Sequence, residues 1–331
     1  MSDAPRLEVR DLSVRFCQRA ATVAAVTGAS FDVGAGECLA LVGESGCGKS
    51  VLVSSLLGLL PAGAETAGQA WLRAVPGGDV ELLAAGEDVL TARVRGRLAG
   101  LVPQSPGAHL TPVRTVRSQL AEVLRELGSD MGVETVAGRA RFPLGHLDHY
   151  PHELSGGLAQ RAVTAAALAG EPWLLLADEP TTGLDRPLVE ETMSELRRLA
   201  GAGHAVVLVT HDLDAARRAA DRVAVMYAGR LVEVAPVGEF FDGPAHPYAR
   251  ALLDALPERG FTPIPGQTPE LSRLPAGCAF RPRCARASTA CGEVPLLDAV
   301  TGGRQVACFH PETVRERAPQ PARGETDGAG G

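Results

Sequence analysis

The sequence predicts an α/β fold with a largely parallel sheet, and three observations lead to this prediction. Short apolar runs alternate with segments of helical character along the first 240 residues. A glycine-rich turn at 43–50 joins one apolar run to an apolar helix. Another apolar run, at 174–179, ends in two consecutive acids, Asp178 and Glu179. Strands buried on both faces and joined by helices produce this pattern.

The predicted strands follow the apolar runs in chain order. They lie at 7–16, 29–33, 38–43, 98–104, 173–178 and 204–210, with short β segments at 70–83 and a hairpin at 221–236 turning at Ala228–Gly229. The predicted helices begin near Lys49, within 113–150, at 155–170 with Ser155 as N-cap, and at 187–200. Strands and helices therefore alternate up to about residue 240.

Length and charge limit the classes of function. A chain of 331 residues can hold one large domain and an appendage. The net charge of −7 gives no general reason to expect a nucleic-acid partner. The N-terminal segment has no apolar core of a signal peptide, and the longest apolar run, at 51–64, is interrupted by Pro61. We therefore expect a chain that does not cross a membrane by itself.

The turn at 43–50, Gly-Glu-Ser-Gly-Cys-Gly-Lys-Ser, matches the phosphate-binding pattern GxxxxGK[ST] between a strand and a helix. Such a loop turns its N–H groups toward phosphates, so we expect a bound nucleotide. Lys49 is the only lysine in the chain, and its compact ammonium fits inside such a loop where a guanidinium does not. The predicted ATP-binding residues are Gly43, Ser45, Gly46, Cys47, Gly48, Lys49, Ser50 and Val51.

The acids at 178–179 suit ATP hydrolysis. Asp178 is predicted to hold Mg²⁺ together with the Ser50 hydroxyl, and Glu179 to polarise the attacking water. The predicted activity is therefore Mg²⁺-dependent hydrolysis of a nucleotide.

Three segments, ELSGGLAQR (153–161), ADEPTTGLD (177–185) and VTHD (209–212), resemble the ATP-binding subunit of ABC transporters. The resemblance covers about 5–240 and implies a P-loop NTPase fold with an antiparallel β subdomain and a helical subdomain at about 105–155. The resemblance implies ATP and Mg²⁺ as cofactors and an ATPase activity, and in this family each ATP is sandwiched between two subunits. The resemblance implies that the ATP of the partner subunit contacts Ser155, Gly156, Gly157, Gln160 and Asp185.

The same resemblance assigns three further roles. His211 would be the switch histidine near the γ-phosphate, and Gln104 would touch Mg²⁺ and couple to the permease. Phe16 lies where the family stacks an aromatic ring on adenine, and a place in the core is the competing interpretation. The signature departs from many relatives at Leu158 and Ala159, but its Ser-Gly-Gly core is intact.

Further segments resemble one branch of the family, the importers of oligopeptides, dipeptides and nickel. They lie at 105–120, where Ser105 and Thr111 replace the usual Asp and Asn, and at 150–157, 240–257, 277–291 and 306–309. This branch implies two transmembrane permease subunits, a second similar ATPase in a heterodimer, an indirect link to an extracytoplasmic solute-binding protein, and a place on the cytoplasmic face of the membrane. A non-transport ATPase, such as a carbon–phosphorus lyase accessory subunit, is the alternative.

Pro and Gly punctuate the chain after residue 240, which predicts a separate extension at 241–313 and a disordered tail at 314–331. Four cysteines of the extension, spaced C-x5-C-x6-C-x16-C, suit a [4Fe–4S] cluster, with structural zinc and unligated thiols as alternatives. They are Cys278, Cys284, Cys291 and Cys308. A redox-responsive regulator of transport is a third functional hypothesis.

Overall fold

The computed structural model describes residues 5–17 and 22–312. Within these ranges the strands form a four-stranded antiparallel sheet, ordered β2-β1-β4-β5, and an eight-stranded sheet, ordered β11-β12-β10-β9-β3-β8-β7-β6. The strands are β1 Leu7–Cys17, β2 Thr22–Val33, β3 Cys38–Val42, β4 Ala64–Leu72, β5 Val80–Glu81, β6 Ala99–Val102, β7 Leu174–Asp178, β8 Ala205–Thr210, β9 Arg222–Tyr227, β10 Arg230–Pro236, β11 Asp298–Val300 and β12 Arg304–Val306.

The helices connect and cover these strands. They are α1 Lys49–Leu56, α2 Glu87–Val89, α3 Val116–Leu127, α4 Val133–Arg139, α5 Gly156–Leu168, α6 Arg186–Gly201, α7 Leu213–Ala219, α8 Val237–Asp242 and α9 Pro247–Asp254. Each described helix is too short or too polar to cross a lipid bilayer.

The centre of the larger sheet is parallel, as the sequence predicts. β3 pairs with β8 and β9, and β7 pairs with β6 and β8, all in parallel. Every residue of β3 and β8 is buried, because both faces of this sheet are covered. The carboxyl ends of β3, β7 and β8 therefore meet at one edge, where the phosphate loop and the acidic pair follow.

One face of the parallel sheet supports the smaller antiparallel sheet. Residues of β1 alternate between buried and more exposed, and their buried set joins a core with Leu39 and Leu41 of β3 and Leu52 of α1. The opposite face packs against α3, α5 and α6 in a second core. The phosphate loop thus emerges from a strand that is fixed from both sides.

The region after residue 240 is joined to the same sheet. β12 pairs with β10 in antiparallel orientation, and β11 pairs with β12. Sequence patterns do not predict these two strands, since each has three residues and the residues of β11 are exposed. The predicted strand at 29–33 is the end of a longer β2. The tail at 314–331 lies outside the described residues.

Candidate nucleotide site and four-cysteine segment

The glycines of the phosphate loop are required by close backbone approach and by backbone conformation. A Cβ atom at Gly43 would lie 2.2 Å from the carbonyl oxygen of Met226, and one at Gly48 would lie 2.1 Å from that of Ala25. Gly46 has φ +78° but open space on its Cβ side. The loop is therefore packed tightly against the sheet at two points and open at Gly46, which leaves a cradle for phosphates.

Lys49 lies inside this loop. Its side chain is 6% exposed, and Nζ donates hydrogen bonds to the carbonyl oxygens of Gly43 at 2.8 Å and Glu44 at 3.1 Å. The neighbouring Cys47 is also buried, and this burial raises the pKa of its thiol. The loop thus encloses the Lys49 ammonium group beside a thiol whose raised pKa keeps it protonated at neutral pH.

Ser50 and Asp178 are brought together from two different elements. The Ser50 hydroxyl, at the start of α1, donates to Oδ1 of Asp178, at the end of β7, over 2.9 Å. Burial raises the pKa of Asp178, and the charge of Glu179 adds to this, while the Ser50 hydrogen bond and Lys49 oppose it. A hydroxyl and a carboxylate at this distance are oxygen ligands of the kind that Mg²⁺ prefers.

Glu179 is fixed by its backbone and by His211. The residue has φ +49°, which is unusual outside glycine, and its N–H donates to the carbonyl oxygen of Val209 at 2.9 Å. Oε2 of Glu179 lies 2.5 Å from Nδ1 of His211. The Glu179 side chain is 13% exposed, whereas His211 is 64% exposed. The structure therefore aims this carboxylate from the sheet edge and holds it with an imidazole.

The Ser-Gly-Gly segment forms the N-terminus of α5. Ser155 is the N-cap and accepts from the N–H of Leu158 at 3.3 Å, as the sequence predicts. A Cβ atom at Gly157 would lie 2.5 Å from Leu188 of α6, so the two helices approach closely there. Ser155 and Gly156 are exposed, and Gly157 is buried. Among the described residues, no hydrogen bond joins this segment to the phosphate loop.

Gln160 differs from the other signature residues in its placement. It is 2% exposed and lines a cavity between α5 and α6, where neither its Oε1 nor its Nε2 has a hydrogen-bond partner among the described residues. From this position the amide does not reach the surface that carries Ser155. Direct contact with a nucleotide held by another subunit would require Gln160 to move.

The other predicted residues lie around the site. Asp185 is exposed and caps α6 by accepting from the N–H of Leu188 at 3.2 Å. Gln104 is exposed two residues after β6. Phe16, near the end of β1, is partly buried and packs against the smaller sheet's core, which fits either interpretation of its role. Ser45 is exposed, and Val51 lies in the first turn of α1.

Four thiols of the extension line one small cavity. Its walls also include His246, Phe280 and His310, and the cysteines are Cys278, Cys284, Cys291 and Cys308. Burial raises the pKa of three of these thiols, that of Cys308 to about 11. Within the described ranges, no group of three or more His, Cys, Asp or Glu residues is arranged to hold a metal ion.

A contact that sequence patterns do not reveal joins the extension to the phosphate loop. Arg283, next to Cys284, bonds to the carboxylate of Glu44 at 2.8 and 3.1 Å. Tyr248 of α9 accepts from the backbone N–H of Glu44 at 2.9 Å. The partners are separated by more than 200 residues, so no local motif could have indicated them.

Comparisons with known proteins agree with this geometry. Residues 26–182 match the family model described as ABC transporter. A Brucella ovis protein named as a peptide import ATP-binding protein is 40% identical over 93% of this chain and 98% of its own length. The chain belongs to the ATP-binding proteins of ABC transporters. A Sinorhizobium fredii relative, named as a peptide ABC transporter ATP-binding protein, is 39% identical over 93% of this chain and 96% of its length.

Solved structures support the fold of this ABC ATPase. The ATP-binding cassette MJ0796, solved as a dimer in a post-hydrolysis state with ADP and Pi, superposes with a TM-score of 0.59 and 26% identity. It covers 70% of this chain and 98% of its own. Residues 232–291 match the model described as oligopeptide/dipeptide transporter, C-terminal region. The resemblance to an ABC ATPase with the P-loop fold is thereby confirmed.

The geometry of this ABC ATPase suits hydrolysis of Mg-ATP. The glycine cradle and Lys49 supply donors and positive charge for phosphates, and Ser50 and Asp178 supply oxygen ligands for the cation. Bound Mg²⁺ would neutralise charge that develops on the phosphates during transfer. At the same edge, Oε2 of Glu179 contacts Nδ1 of His211, and a carboxylate in this place can act as a general base toward water.

Proposed function

We propose that this ABC ATPase energises the import of di- or oligopeptides, or of a related small solute such as nickel. The observation that carries the proposal is the match of residues 232–291 to the C-terminal region of oligopeptide and dipeptide transporters. Relatives named for peptide import, which align over nearly the whole chain, support it. The match also favours an importer over a carbon–phosphorus lyase accessory subunit, for which we expect no such extension.

We propose the following division of labour within the chain. A nucleotide-binding domain at 5–240 binds ATP through the phosphate loop, and an extension at 241–313 carries the cysteines. Glu179 is the general base, His211 orients it, and Gln104 relays the presence of Mg²⁺ to the permease. Ser155, Gly156, Gly157, Gln160 and Asp185 of this chain contact the ATP that a second, similar ATPase subunit holds. The exposure of Ser155, Gly156 and Asp185 supports this arrangement, since all three are open to a partner.

The proposed assembly contains two transmembrane permeases and two ATPase subunits on the cytoplasmic face of the membrane. An extracytoplasmic solute-binding protein would deliver cargo to the permeases, without contact to this chain. Within the chain, the helical segment at 105–155 is the proposed contact to the permease. No nucleic acid is part of the proposal, in line with the net charge of −7.

The importer proposal can be tested by purification and by uptake. An affinity-tagged chain is purified anaerobically from its own membranes, and the co-purifying proteins are identified by mass spectrometry. We expect two multi-span permeases and a second ATPase.

Uptake of a labelled tripeptide and of nickel is then compared between cells carrying the wild type and cells carrying Glu179→Gln. If Glu179→Gln abolishes uptake of the peptide but not of nickel, the cargo is a peptide. If only soluble enzymes co-purify with the chain, the importer proposal is wrong.

We also propose that the four-cysteine segment holds a [4Fe–4S] cluster. The donor set supports this, because four thiols surround one largely apolar cavity. Structural zinc, in which all four thiolates bind one ion, is the alternative for the same donor set. Each cysteine of a cluster binds a different iron. The third functional hypothesis, redox-responsive regulation of transport, requires that this cluster be present.

The cluster proposal is tested on anaerobically purified chain by iron and acid-labile sulfide analysis and by visible absorption. We expect about four irons per chain and the loss of iron and of visible absorption in Cys284→Ser. Cys17→Ser is the matched control, because Cys17 is exposed and lies far along the chain from the segment. Zinc without sulfide, or a chain free of metal, would show the proposal to be wrong.

A further inference from the structure

The bond between Arg283 and Glu44 links the four-cysteine segment to the phosphate loop. Nη1 of Arg283 lies 2.8 Å from Oε2 of Glu44, and Nη2 lies 3.1 Å from Oε1. Each terminal nitrogen of the guanidinium thus bonds to a different oxygen of the carboxylate. The Arg283 side chain is 4% exposed and that of Glu44 is 25% exposed. A two-armed pair with so little solvent contact is stronger and more directional than a surface ion pair.

Arg283 has little freedom to leave this position. Its Nε donates to the carbonyl oxygen of Pro265 at 2.7 Å, and its Nη1 also lies 3.3 Å from the hydroxyl of Tyr227. The guanidinium carbon lies 5.9 Å from the centre of the Phe280 ring. Within the described residues Glu44 is the one carboxylate that pairs with Arg283. The extension therefore presents a fixed positive charge to a single acid of the phosphate loop.

Glu44 in turn is held at three points. Its carboxylate binds Arg283, its N–H donates to Tyr248 at 2.9 Å, and its carbonyl oxygen accepts from Lys49 Nζ at 3.1 Å. The first two partners belong to the region after residue 240, and the third is the phosphate-binding lysine. A shift of Glu44 would therefore move an acceptor of Lys49 directly.

We propose that Arg283 is a positioning residue that sets nucleotide affinity by neutralising and anchoring Glu44 within the phosphate loop. Without Arg283, the Glu44 carboxylate is an uncompensated negative charge in a loop that must receive several phosphate charges. The loop then binds nucleotide more weakly. The affinity for ATP falls more than the affinity for ADP, because ATP carries an additional phosphate. The region after residue 240 thus completes the nucleotide site of its own chain.

The test is a double-mutant cycle on the purified full-length chain. The variants are Arg283→Met, Glu44→Gln and the two combined, and the dissociation constants of ADP and of a non-hydrolysable ATP analogue are measured with Mg²⁺. We expect Arg283→Met to weaken binding of the ATP analogue about tenfold and to weaken binding of ADP by a smaller factor. Glu44→Gln removes the uncompensated charge, so the double variant should return to within about threefold of the wild type.

Arg304→Met is the matched control. Arg304 is also a buried arginine of the extension, 2% exposed, and pairs with Glu239 at 2.7 Å, but it contacts no residue of the phosphate loop. This variant should lower the midpoint of thermal unfolding and leave nucleotide affinity unchanged. Hydrogen exchange in 43–50 should increase in Arg283→Met and stay at the wild-type rate in Arg304→Met.

Two results would overturn the proposal. One is an unchanged affinity in Arg283→Met, and the other is a double variant as weak as Arg283→Met alone, since a purely structural role gives no rescue by Glu44→Gln. If Arg283→Met does not fold, Arg283→Gln replaces it in the cycle. Glutamine keeps a polar side chain but carries no charge, so a loss of affinity that Glu44→Gln rescues supports the proposal. An affinity equal to the wild type in Arg283→Gln, with exchange in 43–50 unchanged, contradicts it.

Discussion

The Nδ1 atom of His211 lies 2.5 Å from Oε2 of Glu179, so the residues that follow two neighbouring parallel strands are joined at the edge of the sheet. The histidine is largely exposed and the carboxylate largely enclosed. In the proposed function the two residues have separate roles: Glu179 accepts a proton from the attacking water, and His211 orients the Glu179 carboxylate. Their substitutions should therefore differ in effect.

Glu179→Gln should reduce the rate of ATP hydrolysis by at least about a hundredfold, because an amide cannot accept a proton from water. Nucleotide binding should stay near the wild-type value, since the residue adds no donor to the phosphate loop. Phosphate release and nucleotide affinity are measured on the same preparation. Glu171→Gln is a matched control, because Glu171 also has positive φ but pairs with Arg139 on the surface. Hydrolysis retained in Glu179→Gln would exclude it as the base.

His211→Ala should lower kcat about tenfold to a hundredfold while KM for ATP changes little, because the imidazole orients Glu179 without anchoring the phosphate loop. Steady-state kinetics of phosphate release gives both parameters. His204→Ala is the control. His204 directly precedes β8, whereas His211 directly follows it, and the His204 ring contacts the carbonyl oxygen of Pro172 at 2.6 Å. A rise in KM with unchanged kcat would instead indicate a direct role of His211 in holding ATP.

Gly48→Ala should abolish nucleotide binding and lower stability by several kcal/mol, roughly the sum of a steric clash and a strained φ. Gly48 has φ +109°, and its Cβ would lie 2.1 Å from a carbonyl oxygen of β2. Isothermal titration with ADP and urea unfolding measure the two effects. Gly138→Ala provides the contrast, because this helical glycine of α4 has open space and should gain up to about 1 kcal/mol. Normal nucleotide binding by Gly48→Ala would contradict the packed-loop geometry.

The parallel core and the phosphate loop could be predicted from sequence because both are local patterns. β3 and β8 are continuous apolar runs, and the hairpin turn at Ala228 and Gly229 has φ +49° and +80°, as its sequence suggests. Ser155 as the N-cap of α5 is equally local. In each case the residues that determine the structure are neighbours in the chain.

The remaining features depend on contacts between distant parts of the chain. Gln160 is a polar residue in a helix, and only the packing of α5 against α6 buries it. Arg283 stands among other arginines of the cysteine segment, and nothing in its neighbourhood singles it out as the partner of Glu44. β12 pairs with β10, where Glu233 lies opposite Val306 and Val234 opposite Gln305, so the paired residues are more than 70 positions apart in the chain. Such contacts arise from the tertiary fold and leave no repeating pattern in the sequence that could predict them.

His246 should make stability depend on pH. Burial lowers its pKa to about 3, whereas an imidazole in the unfolded chain titrates near its ordinary value of 6.5. Between these values the unfolded chain binds the additional proton. The free energy of unfolding contributed by this residue is therefore fully present above about pH 6.5 and falls as the pH decreases, by up to about 1.4 kcal/mol per pH unit.

The pH dependence is tested by urea unfolding of the wild type and His246→Asn between about pH 7 and about pH 5. Asparagine preserves an acceptor for the N–H of Tyr248, which His246 Nδ1 accepts at 3.0 Å as the N-cap of α9. The variant should show a smaller slope. Glu233, whose pKa burial raises and whose carboxylate accepts from the His246 N–H, is common to both proteins, so the difference isolates the imidazole. His152→Asn, on the surface, should keep the wild-type slope, and equal slopes in all three proteins would show that His246 is not held neutral by burial.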